Sequence, residues 1–230
     1  MRLAHGSPIK VRFHVGGPDF HPVAAQAKKI AGWLGANYQC SNHLDKEVFD
    51  HLEDTDLLVL MGLFYSRMGD YQPLSAENEK ALEQYIASGR PLLLHHGAAA
   101  SYDDSELFMK LIGINWVWGG ECPTKHSPIG DYTVNVTNAT HPVTAGIEDY
   151  TLYDELYYNL QVQPSIQPEV LATALYEGRR LPMVQVFEGG RVAGAGQAIY
   201  LANGHDLKAF ECPAMQQLWV QSVEWLTGQR

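Results

Sequence analysis

The most informative segment of this chain is Arg90-Pro-Leu-Leu-Leu-His-His-Gly-Ala-Ala-Ala-Ser-Tyr102. Its consecutive leucines form a short apolar run, which is typical of a parallel strand that is buried on both faces. The glycine and alanines after His95 and His96 allow a sharp turn from a strand into a helix. The segment therefore predicts a buried strand with a polar elbow at its carboxyl end, where open α/β sheets bind their ligands.

The sequence before this segment repeats the order of strand, turn and helix. Residues 10–15 alternate like a strand and run into a glycine turn, after which apolar residues recur at helical spacing over residues 24–34. A second apolar run, residues 56–61, ends at a glycine. Ser75 is a good N-cap for a following helix, which we expect to end at Gly89. This alternation predicts parallel strands joined by crossover helices.

Strand signals return in the second half of the chain and end in a helix. The candidate strands are residues 132–136, 170–175, 183–187 and 198–202, and apolar residues line one face of a final helix over residues 215–226. No linker or repeat interrupts the sequence. We therefore predict one α/β domain over residues 1–230, a flavodoxin-like, mostly parallel sheet with helices on both faces.

The composition excludes several classes of function. The chain carries 26 acidic and 16 basic residues, a net charge of −10, without a Lys/Arg run, which argues against a nucleic-acid partner. No stretch approaches the roughly 18 to 20 apolar residues of a membrane span, and the first seven residues lack the apolar core of a signal peptide. We therefore expect a cytoplasmic protein that does not associate with membranes. The scattered Cys40, Cys122 and Cys212 predict neither disulfides nor a thiolate metal site.

Several histidines follow predicted strands, where we expect a ligand crevice. Two adjacent imidazoles, His95 and His96, are costly to desolvate unless something binds them. Adjacent residues on a strand point to opposite faces, so we expect one of the two to be a ligand and the other to orient it or cap the next helix. His205 follows the last predicted strand in a glycine turn. His21 follows the first glycine turn, where it is either a crevice residue or part of a helix cap.

Two further clusters lie between residues 140 and 158. His141 stands in a turn, and we expect it to hydrogen-bond within its own loop. The segment Tyr153-Asp-Glu-Leu-Tyr-Tyr158 packs carboxylates among aromatic residues. This pattern is typical of a sugar or metal site and also of an ordinary amphipathic edge.

Metal chemistry gives a reason to group these residues. Zinc and similar divalent ions favour imidazole and carboxylate ligands, and a catalytic site uses about three protein ligands and a water. His96, Glu155 and His205 can supply that set, with His21 as a fourth ligand. We therefore expect a divalent metal cofactor, with zinc as the favoured ion. Because the spacing is long, unlike His-Glu-x-x-His, only a fold that brings the residues together can form this site.

The motifs together resemble the ThuA-like (trehalose utilisation) family from about Ile9 to Gly228. The resemblance rests on residues 90–102, on His141-Pro-Val-Thr-Ala-Gly-Ile147 with Asp154-Glu-Leu-Tyr157, and on residues 182–192 followed by Gly204-His-Asp206. The family's fold resembles class I glutamine amidotransferases, whose elbow carries a nucleophilic cysteine. Here histidines stand at the elbow, so the resemblance implies a crevice without glutaminase activity.

The resemblance also implies a role in carbohydrate metabolism. Family members are linked to the use of trehalose and related disaccharides, acting on oxidised (keto) sugars. We therefore expect a metal-dependent hydrolase, lyase or isomerase with a small-molecule carbohydrate substrate. If Glu155 binds the metal, then Asp154, His95 or His21 must move the proton, and we take His95 and Asp154 as the catalytic candidates.

Two questions stay open at the level of sequence. Tyr65, Tyr157 and Tyr158 are candidates for stacking against a sugar, although tyrosines in such positions also serve packing. Trp116 and Trp118 fit a partner surface, which would allow a homo-oligomer, and they fit a pocket wall equally well. The alternative to an enzyme is a non-catalytic carbohydrate-binding or regulatory protein on the same fold.

Overall fold

A nine-stranded sheet forms the centre of the computed structural model, which describes residues 7–230. The strands in chain order are β1 (Ile9–Val15), β2 (Tyr38–Leu44), β3 (Leu57–Leu60), β4 (Leu92–His95), β5 (Ile114–Asn115), β6 (Lys125–His126), β7 (Gly130–Val136), β8 (Tyr150–Asp154), β9 (Tyr157–Tyr158), β10 (Gln161–Val162), β11 (Glu169–Tyr176), β12 (Arg179–Glu188) and β13 (Gln197–Leu201). The helices are α1 (Val23–Leu34), α2 (Ala76–Ala87), α3 (Glu106–Ile112) and α4 (Pro213–Leu226).

The order of the strands brings most of their carboxyl ends to one side. The central sheet runs β2-β1-β3-β4-β13-β12-β11-β7-β8. The strands from β2 to β13 pair in parallel, and each later strand is antiparallel to its neighbour. Only β12 and β7 therefore oppose the direction of the sheet, which confirms the mostly parallel arrangement. We call the side where the other strands end the carboxyl edge.

The helices lie on both faces of this sheet, as predicted. The chain moves from β1 outward to β2, but from β3 it moves in the opposite direction to β4. Because crossover connections are right-handed, this reversal puts α1 and α2 on opposite faces. α1 packs with α4, and α2 packs with α3. The reversal between β1 and β3 also opens the crevice in which such folds bind ligands.

The predicted elements form where the sequence signals are strong. All residues of β3 and β4 are buried, as expected for strands covered by helices on both sides. Ser75 caps α2, because its hydroxyl accepts a hydrogen bond from the backbone N–H of Asn78. Ser105 caps α3 in the same way. No helix within residues 7–230 is long and apolar enough to span a membrane.

Two strands of the sheet lack a sequence signal. β2 and β8 form its two edges, and most of their residues are at least partly exposed. Such strands carry neither an apolar run nor a clean alternation, because only part of one face packs on the core. Residues 1–6, on which the expectation of no signal peptide rests, lie outside the described part of the chain.

Candidate metal centre

The elbow after β4 forms as predicted and presents His96 to the crevice. β4 ends at His95, and residues 96–100 form a tight helical turn. His96 adopts a left-handed backbone conformation with φ of 42°, which is rare for a non-glycine residue and marks a functional position in many proteins. Gly97 lies against the His21 ring, where an added Cβ would approach the ring within 2.8 Å. The small residue at position 97 therefore makes room for a second imidazole.

Four side chains from distant parts of the chain meet at the carboxyl edge: His21, His96, Glu155 and His205. Their nearest donor atoms all lie within 4.8 Å of one another. His205 Nδ1 is 2.9 Å from His21 Nε2 and 3.2 Å from Glu155 Oε1, and His96 Nε2 is 3.4 Å from the same carboxylate oxygen. We call this group the histidine–glutamate cluster. It contains every residue that the sequence indicated as a metal ligand.

The chemistry of these donor atoms fits a divalent cation. His96 Nδ1 donates a hydrogen bond to the carbonyl oxygen of Ala202 at 2.6 Å, so in the neutral ring Nε2 carries the lone pair that faces Glu155. Among the described residues, His96 Nε2 has no hydrogen-bond partner although it is buried. Zinc ligands at about 2.0–2.1 Å in a tetrahedron lie roughly 3.3 Å apart. Three of the donor separations, 2.9, 3.2 and 3.4 Å, are close to this value.

The charges in the cluster also suit metal binding. Burial acts to raise the pKa of Glu155, but the adjacent His205 and His96 imidazoles outweigh it and hold this pKa well below its usual value. Burial acts to lower the pKa of His205, but the Glu155 carboxylate raises it overall. Burial and the nearby imidazoles lower the pKa of His21 to about 2. The cluster thus holds an ionised carboxylate and a neutral imidazole, the forms in which these groups bind metals.

Asp154, a candidate catalyst, lies beneath the cluster and fixes one of its loops. Only 1% of this residue is exposed. Its carboxylate accepts hydrogen bonds from the backbone N–H of Gly204 at 2.7 Å and of His205 at 2.9 Å, and from the Asn203 side chain at 3.1 Å. Burial raises the pKa of Asp154, and the nearby His96 ring and these N–H groups oppose that rise. In this position Asp154 orients His205 and does not itself face the crevice.

His95, the other candidate catalyst, points away from the cluster. Its Nε2 bonds the carbonyl oxygen of Asn203 at 2.9 Å, and its ring packs 5.2 Å from Trp219 and 5.8 Å from Phe210. Gly204 allows this approach, because an added Cβ would lie 2.3 Å from His95 Nε2. The two adjacent histidines thus have different neighbours, because His95 packs against Trp219 and Phe210 whereas His96 faces Glu155.

The three tyrosines proposed to bind substrate lie in different surroundings. Tyr157 is buried and stacks on the His96 ring at 4.2 Å. Tyr65 is half-buried and stacks on Trp118 at 4.9 Å. Tyr158 follows Tyr157 on β9 and faces away, with the Arg179 guanidinium 4.6 Å from its ring. Only Tyr157 contacts the cluster directly.

The two tryptophans extend this aromatic contact outward. Trp116 lies edge-on to Tyr157 at 5.0 Å, and its ring is 5.5 Å from that of Trp118. The other aromatic neighbour of Trp118 is Tyr65. Both tryptophans are half-buried. The four aromatic side chains therefore form a continuous row of contacts from Tyr157 to Tyr65.

Sequence reasoning missed two residues next to the cluster. His126 Nδ1 lies 3.1 Å from Glu155 Oε2, and its side chain is 56% exposed. It stands on β6, a two-residue strand in a loop without a periodic signal, and pairs across from Tyr157. Phe20 packs its ring 4.9 Å from His21 and 6.3 Å from His205. The only sequence signal for Phe20 is its position next to His21. This position does not distinguish a residue of the site from an ordinary loop residue.

None of the three cysteines stands at the elbow. Cys40 lies on β2, Cys122 is exposed in the loop before β6, and Cys212 directly precedes α4. Residues 95–101 contain no cysteine. The elbow therefore lacks the group that forms a thioester in glutamine hydrolysis.

Solved structures with this fold include ThuA-like proteins. One from Parabacteroides merdae superposes with a TM-score of 0.75 at 19% sequence identity, covering 97% of this chain and 91% of that chain. One from Bacteroides uniformis has a TM-score of 0.69 at 19% identity, covering 98% and 94% of the two chains. A cytoplasmic protein from Salmonella typhimurium has a TM-score of 0.59 at 11% identity, covering 94% and 98%. At these identities the likeness shows the fold alone.

Sequence comparison gives the more specific result. No curated protein matches the chain. Residues 16–226 match the ThuA family, described as trehalose utilisation, and this match includes all four residues of the histidine–glutamate cluster. Because the match covers most of the sequence, the chain belongs to the ThuA family.

Proposed function

We propose that the protein is a metal-dependent enzyme that acts on a carbohydrate, a keto-disaccharide or a related trehalose derivative. The observation that carries this proposal is the meeting of three imidazoles and one ionised carboxylate at the carboxyl edge. The sugar class is supported by the family description, trehalose utilisation. Zinc is the favoured ion, because imidazole nitrogen and carboxylate oxygen are among its preferred ligands.

Each residue of the cluster has a definite part in this proposal. A divalent ion held here would polarise a substrate carbonyl or lower the pKa of a bound water. His96, Glu155 and His205 would hold the ion, with His21 as a fourth ligand. The Ala202 carbonyl fixes the orientation of His96, and Asp154 fixes the backbone of His205. Such supporting contacts hold ligands in place and commonly determine metal affinity.

The proposal separates the protein from glutamine amidotransferases. An amidotransferase needs a cysteine nucleophile at the elbow, and this chain has His96 and Gly97 there. The crevice is therefore proposed to serve a different reaction. Tyr157, stacked on His96, shields one side of that imidazole from water and favours a dry site in which charges act strongly.

The first experiment is elemental analysis of the chelator-free, untagged protein. We expect close to one divalent ion per chain in the wild type, and loss of most of this metal in His96→Ala and His205→Ala. His14→Leu is the matched control, because His14 is equally buried near the same edge but lies outside the cluster. Circular dichroism establishes that each variant is folded. A wild type that takes up neither zinc, manganese nor iron would refute the metalloenzyme.

The alternative to an enzyme is a carbohydrate-binding protein without catalytic activity. Metal-loaded protein incubated with a panel of keto-disaccharides separates the two, with the products followed by NMR. Turnover that disappears in His205→Ala supports the enzyme. Binding without turnover across the panel supports the binding protein.

A further inference from the structure

An exposed aromatic ring lies at the mouth of the histidine–glutamate cluster. Phe20 is 56% exposed, although it directly precedes the buried His21. Its ring is nearly parallel to His205, with an angle of 17° between the planes, and edge-on to His21. One side of the ring therefore covers the two imidazoles. A phenylalanine that remains so exposed beside a buried polar cluster offers a flat apolar surface to a ligand.

His126 provides a polar group at the same mouth. Its Nδ1 faces Glu155 Oε2 at 3.1 Å and the carbonyl oxygen of Ser127 at 2.9 Å, and both of these atoms can only accept. Nδ1 therefore carries the proton in the neutral ring, and Nε2 keeps a free lone pair. Within the described residues, Nε2 has no protein partner and belongs to a side chain that is more than half exposed. It can accept a hydrogen bond from a ligand hydroxyl.

We propose that Phe20 and His126 form a subsite that holds a sugar ring of the substrate beside the histidine–glutamate cluster. A pyranose has a face lined by C–H groups, which fits the Phe20 ring, and hydroxyl groups at its rim, which can donate to His126 Nε2. This subsite rests on the proposed carbohydrate function and names the residues that hold the sugar. It differs from the metal ligands because neither residue contributes a donor atom to the histidine–glutamate cluster.

The test measures binding of trehalose to the metal-loaded protein by isothermal titration calorimetry. We expect the wild type to bind trehalose. Phe20→Ala weakens trehalose binding about tenfold, because the stacking contact is lost, and Phe20→Tyr restores it. His126→Ala, measured at saturating metal, weakens it by about threefold to tenfold, and the metal content of the two Phe20 variants stays at the wild-type value.

A matched control separates this effect from a general change in the surface. Leu175→Ala removes an apolar residue that is 59% exposed and lies on β11, which carries none of the cluster residues. It should bind trehalose like the wild type. Unchanged trehalose binding in Phe20→Ala or absence of trehalose binding in the wild type would each overturn the subsite. A wild type that takes up no metal but still binds trehalose through Phe20 would refute the metalloenzyme and retain the subsite.

Discussion

Two groups of buried histidines lie at the carboxyl edge, and they differ in what their nitrogen atoms face. In the histidine–glutamate cluster, three imidazoles point toward one carboxylate. The other group, which we call the His14 group, contains one histidine together with Tyr102 and Asp45. His14 Nε2 lies 3.2 Å from the Tyr102 hydroxyl, which in turn donates to Asp45 at 2.7 Å. The rings of Phe49 and Phe64 pack around His14 at 6.2 and 5.3 Å. The His14 ring is therefore packed among aromatic side chains.

Burial and pKa do not distinguish these groups. Burial lowers the pKa of His14 to about 3, and burial together with nearby imidazoles lowers that of His21 to about 2. Both rings are therefore neutral at pH 7. The difference lies in the convergence of several donor atoms, which occurs only in the cluster. A depressed histidine pKa indicates a candidate site only when other ligand groups point to the same place.

The largest expected effect concerns the support of the cluster. Asp154→Asn removes a negative charge and an acceptor beneath the loop of His205. Because such supporting contacts orient the ligands, we expect metal affinity to fall about 10- to 100-fold, measured by competition with a chelator. Asp149→Asn is the control, since Asp149 also accepts from a side-chain amide and a backbone N–H but is exposed and remote from the cluster. Equal losses in both variants would contradict the positioning role of Asp154.

The second prediction tests the His14 group through pH. Below pH 6.5 the unfolded chain binds a proton at His14, whereas the folded chain does so only below a pKa of about 3. The unfolded state thus binds more protons, and stability falls as the pH decreases through this window. The contribution of His14 between pH 7 and pH 5 is about 2 kcal/mol.

Urea unfolding at both pH values measures this contribution. His14→Leu should reduce the loss of stability between pH 7 and pH 5 by that amount, relative to the wild type. The comparison uses the difference between the two pH values, so a general destabilisation by the substitution cancels. An unchanged pH dependence would show that His14 binds protons equally in the folded and unfolded states, which would contradict a lowered pKa.

The smallest expected effect concerns the hydrogen bonds of the His14 group. Tyr102→Phe removes the hydroxyl between His14 and Asp45, and we expect a loss of about 1 kcal/mol in the free energy of unfolding without a change in metal content. Tyr150→Phe is the control, because the buried Tyr150 hydroxyl has no hydrogen-bond partner within residues 7–230. Loss of metal in Tyr102→Phe would mean that the two groups are coupled.

The sequence predicted the fold well where one face or both faces of an element are buried. β3, β4 and the helices α1, α2 and α4 carry continuous or periodic apolar residues, and each forms close to its predicted bounds. β2 and β8 escaped prediction because they are edge strands with partly exposed residues. The pattern of apolar residues reflects burial, so a strand with few buried residues has no clear pattern in the sequence.

The candidate site shows the same division. The sequence named all four residues of the cluster as metal ligands, but it also took His95 as a catalytic candidate and did not find His126. The choice between the adjacent histidines depends on the backbone conformation of His96, with its positive φ. The position of His126 depends on the pairing of β6 with β9. Neither feature has a local pattern that could predict it.

The sequence by itself determined an α/β fold, a polar elbow without a cysteine, and a set of imidazoles and carboxylates at the ends of strands. Only the tertiary structure decided which of these side chains meet. His21 and His205 are separated by 184 positions, yet their ring nitrogens lie 2.9 Å apart. The physical reason is that residue types and burial patterns are local properties of the chain, whereas the order of strands in the sheet sets contacts between distant residues.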